Sequence, residues 1–162
     1  MLSQLINILN YMNNPSDDIA IVEITEATKE IYSEMTKLLS QLTSSELSFS
    51  QKDLERIVAS KNSILFAAVD KEPNSNIFGI LTLVLIDIPT AAFARIEDVV
   101  VDKTARGKGI GETITLAAIE RARELGITKI DLTSSPSRKA ANRLYQRLGF
   151  KQRTTNVYRY EV

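Results

Sequence analysis

Residues 106–111, Arg-Gly-Lys-Gly-Ile-Gly, alternate glycines with two cations. Glycines at 107, 109 and 111 remove side chains where a ligand could approach the main chain. Arg106 and Lys108 bring positive charge to the same place. If a helix begins here, its first turn leaves several N–H groups without intrahelical partners, at the positive end of the helix dipole. Together these features suit a phosphate. The spacing sets the segment apart from two other phosphate loops. No G-x-x-x-x-G-K-[ST] run is present, and the glycines fall as G-x-G-x-G, not G-x-G-x-x-G. Taken alone, the cluster also fits a tight turn between a strand and a helix.

Few side chains are available for proton transfer. The chain has no histidine and no cysteine. That excludes a Ser-His-Asp triad, a cysteine nucleophile, a disulfide framework and a thiolate or imidazole metal site, and no metal is expected. Acid–base chemistry falls to carboxylates, tyrosine, lysine, water or the backbone. The carboxylates nearest the glycine loop are Glu97 and Asp98, and Tyr145 lies on a later amphipathic segment.

The elements around these residues can be read from periodicity. Residues 19–24 are rich in β-branched side chains and predict a strand. Ile31, Met35, Leu38, Leu39 and Leu42 line one face of a helix. The serine-rich stretch 43–49 predicts a loop. Ser50 and Asp53 have the spacing of a capping signal for a short helix bearing Leu54, Ile57 and Val58. Strands follow at 64–69 and 78–88, joined by turn chemistry at 72–76, so they should pair as a hairpin. After a turn at 89–92 comes a strand at 95–101, whose three valines suggest burial on both faces. Residues 109–125 form the strongest helix, with Gly126 placed to stop it. A strand at 130–132, a helix at 136–148 closed by Gly149, and a last strand at 157–162 complete the order. The sequence predicts a mixed α/β domain over 19–162. Residues 1–18 form an N-terminal extension in which Leu2, Leu5, Ile6 and Leu9 have helical spacing. This face could pack on its own domain or on a second copy as a homodimer.

The glycine loop and the tyrosine helix together resemble the GNAT superfamily of acyl-CoA-dependent N-acyltransferases. Residues 106–111 match its R/Q-x-x-G-x-G/A signature, and residues 140–150 (AANRLYQRLGF) resemble its second signature, a helix bearing a tyrosine and ending in G-F. The resemblance runs from about residue 19 to residue 162. It implies a splayed, mostly antiparallel central sheet flanked by helices, and acetyl-CoA as co-substrate. It implies that Val99, Val100 and Val101 bind the pantetheine arm through their backbone. Arg106, Gly107, Lys108, Gly109, Ile110 and Gly111 would wrap the pyrophosphate. Tyr145 would stabilise the departing thiolate. The family often has asparagine seven positions before that tyrosine, but this chain has Arg138. Asn142, one turn later, is expected to contact the cofactor in its place, while Arg138 and Lys139 face phosphates or solvent.

An amine acceptor must lose a proton to react. Glu97 and Asp98 alternate across their strand, so only one faces the cleft. Glu97 is preferred because a regular strand places it on the face of Val99 and Val101. A bulge would reverse that choice. The expected activity is N-acetyl transfer from acetyl-CoA to a primary amine of a small molecule, by direct attack on the thioester. The alternatives are a protein lysine or N-terminal acetyltransferase, or a non-catalytic CoA-binding regulatory module.

Bulk properties fit this reading. The chain has 162 residues, suited to one domain. Twenty basic residues balance twenty acidic ones, so no global field attracts nucleic acid or an anionic membrane. No apolar run reaches the length of a membrane span, and no secretory signal pattern opens the sequence, so a cytoplasmic location is expected.

Overall fold

A computed structural model of the chain describes the backbone of residues 6–7 and, in full, residues 19–42, 47–71 and 76–162. Six strands form one sheet in chain order: β1 (Ile6–Asn7), β2 (Ile19–Ile24), β3 (Ser63–Asp70), β4 (Ile77–Ile88), β5 (Ala91–Val101) and β6 (Ile130–Leu132). The first five run antiparallel to their neighbours, while β6 is parallel to β5. A parallel pair needs a crossover, and helix α3 (Ile110–Glu124) supplies it. Helices α1 (Lys29–Leu39) and α2 (Gln51–Val58) connect β2 to β3, and α4 (Lys139–Arg147) follows β6.

The sheet is buried on both faces, so β3 reads as an almost unbroken apolar run. One face packs Phe66, Leu81, Leu83, Ala94 and Ile96 against Ile110, Ile114, Ala117, Ala118 and Ala122 of α3. The other packs Leu65, Ala67, Ile80 and Val100 against Ile31, Met35 and Leu38 of α1 and Leu54 of α2. Both of these helices start at a self-made cap. Thr28 Oγ1 accepts from the Ile31 amide at 3.2 Å. Ser50 and Asp53 form the reciprocal capping box expected from their spacing.

Two features of β5 shape the site. First, its pairing with β6 covers only Ala94, Ile96 and the residue between them, whereas β4 stays beside it as far as Val101. Beyond Ile96 the two parallel strands part, and among the described residues, residues 97–101 have no strand partner on that side. Second, the β4–β5 register slips between Ile80 and Thr82, which pair with Val100 and Glu97. The slip is a bulge at residues 98–99, and Asp98 takes φ 51°, which is strained for a residue other than glycine.

Three expectations differ from the structure. Residues 157–162 form no strand, and residues 151–162 are exposed throughout. Ala91 and Ala92 are paired strand residues, so the β4–β5 turn needs only Pro89 and Thr90. The helical spacing at the N-terminus meets a two-residue strand, Ile6–Asn7, paired with Ile24 and Glu23. The rest of residues 1–18, the first part of the loop at 43–49 and most of the turn at 72–76 lie outside the described residues.

Candidate active site

The site begins where β5 and β6 part. The Asp102 amide donates to the Phe78 carbonyl at 2.8 Å, which fixes the phase of the antiparallel ladder. Residues alternate along a strand, so Val100 also points its amide and carbonyl at β4, while Val99 and Val101 point theirs at the open gap. Of the three valines expected to offer backbone, two therefore present it to the gap. Val100 is buried against the α1/α2 side, and Val99 and Val101 put their side chains on the α3 side.

The chain then makes a 3-10 turn, Lys103–Ala105, capped by Asp102. Asp102 accepts from the Thr104 amide at 2.8 Å and from Gln41 Nε2 at 2.8 Å. Gln41 Oε1 in turn accepts from the Lys103 amide at 3.0 Å, so the turn just past α1 grips the entrance to the loop at two points. The Thr104 hydroxyl, the Gln41 amide and the Thr104 backbone N–H, all donating to it, hold the Asp102 carboxyl down to about 2. Arg106 Nε donates to the outward carbonyl of Val101 at 3.1 Å, leaving the rest of its guanidinium exposed.

Gly107 and Gly109 adopt φ 81° and 80°, and Gly109 is the N-cap of α3 with no side-chain cap. The start of α4 also lacks a side-chain cap. The two helices away from the gap satisfy their own first-turn amides, and the two beside it do not. Lys108 and Gly109 are exposed, while Ile110 is buried in the core and offers only its backbone.

Helix α4 is docked on the first turn of α3. A Cβ on Gly111 would stand 3.4 Å from Leu144 Cδ2, so glycine allows the close approach. Arg147 pairs with Glu112 at 2.6 Å. The docking orients Tyr145, whose ring meets Phe150 edge-on at 5.9 Å between centroids. Burial raises the phenol pKa, opposed by Arg138, and among the described residues its hydroxyl has no hydrogen-bond partner. Asn142 spends its Nδ2 on the Ser135 carbonyl at 2.9 Å and keeps Oδ1 free of that bond. Arg138 reaches across to the Leu42 carbonyl at 3.2 Å, bridging α4 to the end of the α1 segment.

The bulge changes the carboxylate geometry. Ile96 and Val99 share the α3 face, so the extra residue puts Glu97 opposite Val99 and Val101, and not beside them as a regular strand would. Glu97 is paired with Arg95, which also donates to Thr133 Oγ1 at 3.4 Å. Asp98 is accessible, yet desolvation and the neighbouring Glu97 charge raise its pKa. Sequence reasoning missed Ser134. Its hydroxyl is buried without a hydrogen-bond partner just past β6, and one serine among several in a polar run gives no signal of burial.

The arrangement couples an open strand edge, an uncapped helix start after a glycine loop, and a half-buried phenol. Residues 25–150 match the model of the acetyltransferase (GNAT) family, and the chain belongs to that family of acetyl-CoA-dependent N-acetyltransferases. It is similar to a transcriptional regulator from Bacillus halodurans C-125, with 30% identity and TM-score 0.75 over 88% of this chain and 99% of that one. An acetyltransferase from Trypanosoma brucei shares 25% identity and TM-score 0.73, with 90% and 100% covered. An aminoglycoside acetyltransferase from an uncultured soil metagenomic sample shares the fold at TM-score 0.78 and 17% identity, with 91% and 97% covered. No curated protein matches the sequence. Among the described residues, no helix is long and apolar enough to cross a membrane.

Proposed function

We propose that this protein transfers an acetyl group from acetyl-CoA to the primary amine of a small molecule. The observation that carries the reading is the uncapped start of α3 lying one short turn beyond the unpaired edge of β5. An extended amide-bearing arm can add to the Val99 and Val101 edge as a strand would, and an anionic group can then reach the amides of Gly109, Ile110 and Gly111. Arg106 and Lys108 supply the neighbouring charge. Bound acetyl-CoA supplies a thioester carbon that a neutral amine attacks, with the acyl group leaving the sulfur for the nitrogen.

The protein's own part is to position and to handle protons. The raised pKa keeps Tyr145 protonated, so it can donate a hydrogen bond to a departing thiolate. Asp98 is the favoured proton acceptor. Its carboxyl holds a proton more readily than an ordinary aspartate, whereas Glu97 is engaged by Arg95. Arg138, at the start of α4, is tied to the Leu42 carbonyl just past α1, and this tie between the two segments favours an enclosed acceptor over an extended peptide.

Isothermal titration with acetyl-CoA, and with CoA for comparison, tests the cofactor assignment. Thiol release across small amines and lysine peptides then tests the acceptor class. Turnover on peptides alone would favour a protein acetyltransferase. Binding without turnover on either would favour a regulatory module.

A further inference from the structure

The ribbon of β4 and β5 carries an apolar face that belongs to neither core. Leu83 and Leu85 on β4, with Ala94 and Ile96 on β5, point to the α3 side. Alternation therefore puts Val84, Ile86 and Ile88, with Phe93 and Arg95, on the other side. Pairing sets Ile86 opposite Phe93 and Val84 opposite Arg95, which joins them into one strip. Val84, Ile86 and Phe93 are partly exposed and Ile88 is 47% exposed. Among the described residues, none of the four packs into either hydrophobic cluster. The reason is length. β3 accompanies β4 only as far as Val84, and α1 and α2 pack over Leu65, Ala67, Ile80 and Val100, further along the sheet. A single exposed apolar residue is ordinary, but a contiguous strip marks a binding surface.

The strip ends at a pair of opposite charges. Arg95 and Glu97 follow Phe93 on the same face, paired with each other, and their side chains are 37% and 41% exposed. Just past them the strand bulges and the gap beside Val99 opens. Helix α4 stands on the α3 side of that gap, with Leu144 beside Gly111 and Val101. A molecule that reaches the gap from the opposite side crosses the face of Phe93, Arg95 and Glu97. In order toward the gap, this face offers an apolar surface, a guanidinium and a carboxylate. An amine on an apolar body would match Glu97 and strip Arg95 of its partner. A zwitterion matches both, its carboxylate on the guanidinium and its ammonium on the carboxylate. Residues two apart on a strand stand about 7 Å apart, comparable to the separation of ring and carboxylate in an aromatic amino acid.

We propose that this face is the acceptor site and that it takes a free α-amino acid with an apolar side chain. The side chain lies on Ile86 and Phe93, the α-carboxylate on Arg95, and the α-amine passes Glu97 to the gap. In the transfer, the nitrogen bonds to the thioester carbon, the carbon–sulfur bond breaks, and the sulfur takes up a proton for the one the nitrogen gives up. The products are an N-acetyl amino acid and CoA. This acceptor role rests on the acetyl transfer proposed above, whereas occupancy of the face does not.

Proton–nitrogen correlation NMR of the full chain, titrated with L-phenylalanine, reads occupancy without any chemistry. The amides of residues 84, 86, 93 and 95 should shift saturably, and phenethylamine, which lacks the carboxylate, should shift them far less. With acetyl-CoA, thiol release should give a KM for L-phenylalanine roughly tenfold below those for phenethylamine and L-phenylalaninamide. Arg95→Gln should erase that difference, and Phe93→Ser should raise KM with kcat near the parent's. Preference for phenethylamine, an aminosugar, a polyamine or a peptide N-terminus would overturn the proposal. So would an Arg95→Gln variant that keeps the parent's preference. Shifts of the same amides on dilution of the protein alone would overturn it too, by giving the face to a second copy. A chain whose amides shift with L-phenylalanine but which binds no acetyl-CoA would overturn the transfer reaction and leave the amino acid as the ligand of this face.

Discussion

Tyr145 and Asp98 divide the proton handling in the proposed reaction, and each gives a separable prediction. Tyr145→Phe keeps the ring against Phe150 and removes only the hydroxyl. Turnover should fall roughly a hundredfold while the affinity for acetyl-CoA changes little. Equal small effects on both would make the ring a packing residue. Asp98 must lose its proton to act, and its pKa is raised, so kcat/KM should climb with pH through a value above the ordinary carboxylate range. Asp98→Asn should remove that limb of the profile, and Glu97→Gln should leave it. Retention of the limb in Asp98→Asn would shift the base to Glu97 or water. Sequence order named both carboxylates and preferred Glu97 on the assumption of a regular strand. The choice turns on one inserted residue in the β4–β5 ladder, which depends on long-range pairing and leaves no local trace. Ser134 was hidden for a related reason, since its burial comes from neighbours distant in sequence.

Elements with strong local rules were legible. The capping box at Ser50 and Asp53, the long α3 helix and the β3–β4 hairpin all appear where periodicity and turn chemistry put them. The final strand did not, because alternation shows that a segment can pair without showing that a partner edge is in reach. At this scale Ser50→Ala should destabilise the domain by about 1 kcal/mol in urea unfolding, since it removes the hydroxyl half of the box and leaves the backbone amide of residue 50 on Asp53. The glycine loop responds differently. Gly109→Val places a β-branched residue at φ 80° and crowds the start of α3, so acetyl-CoA affinity should be lost while far-UV circular dichroism stays native. Undiminished affinity in a folded variant would remove the loop from the cofactor site.

For the molecule as a whole, acid sensitivity should rest on a few anchored carboxylates. Hydrogen bonds from Thr104 and Gln41 hold Asp102 at about 2, and those from Ser50 and Arg56 do the same for Asp53. Both values are depressed below the ordinary 3.8, so their stabilisation is complete above about pH 4 and is lost as pH falls toward 2. Asp102→Asn should flatten this part of a stability–pH curve measured by denaturant titration. Parallel curves for variant and parent would mean the carboxylate is not held in solution.

The grip of Gln41 on Asp102 and Lys103 has a thermodynamic corollary. It joins α1, on one side of the sheet, to the segment that leads into the glycine loop. A shift of either body is transmitted to the other through one short amide. In the proposed reaction, any coupling through Gln41 between the nucleotide end and the amine end would be reciprocal: whatever factor the first ligand added to the affinity of the second, the second would return to the first.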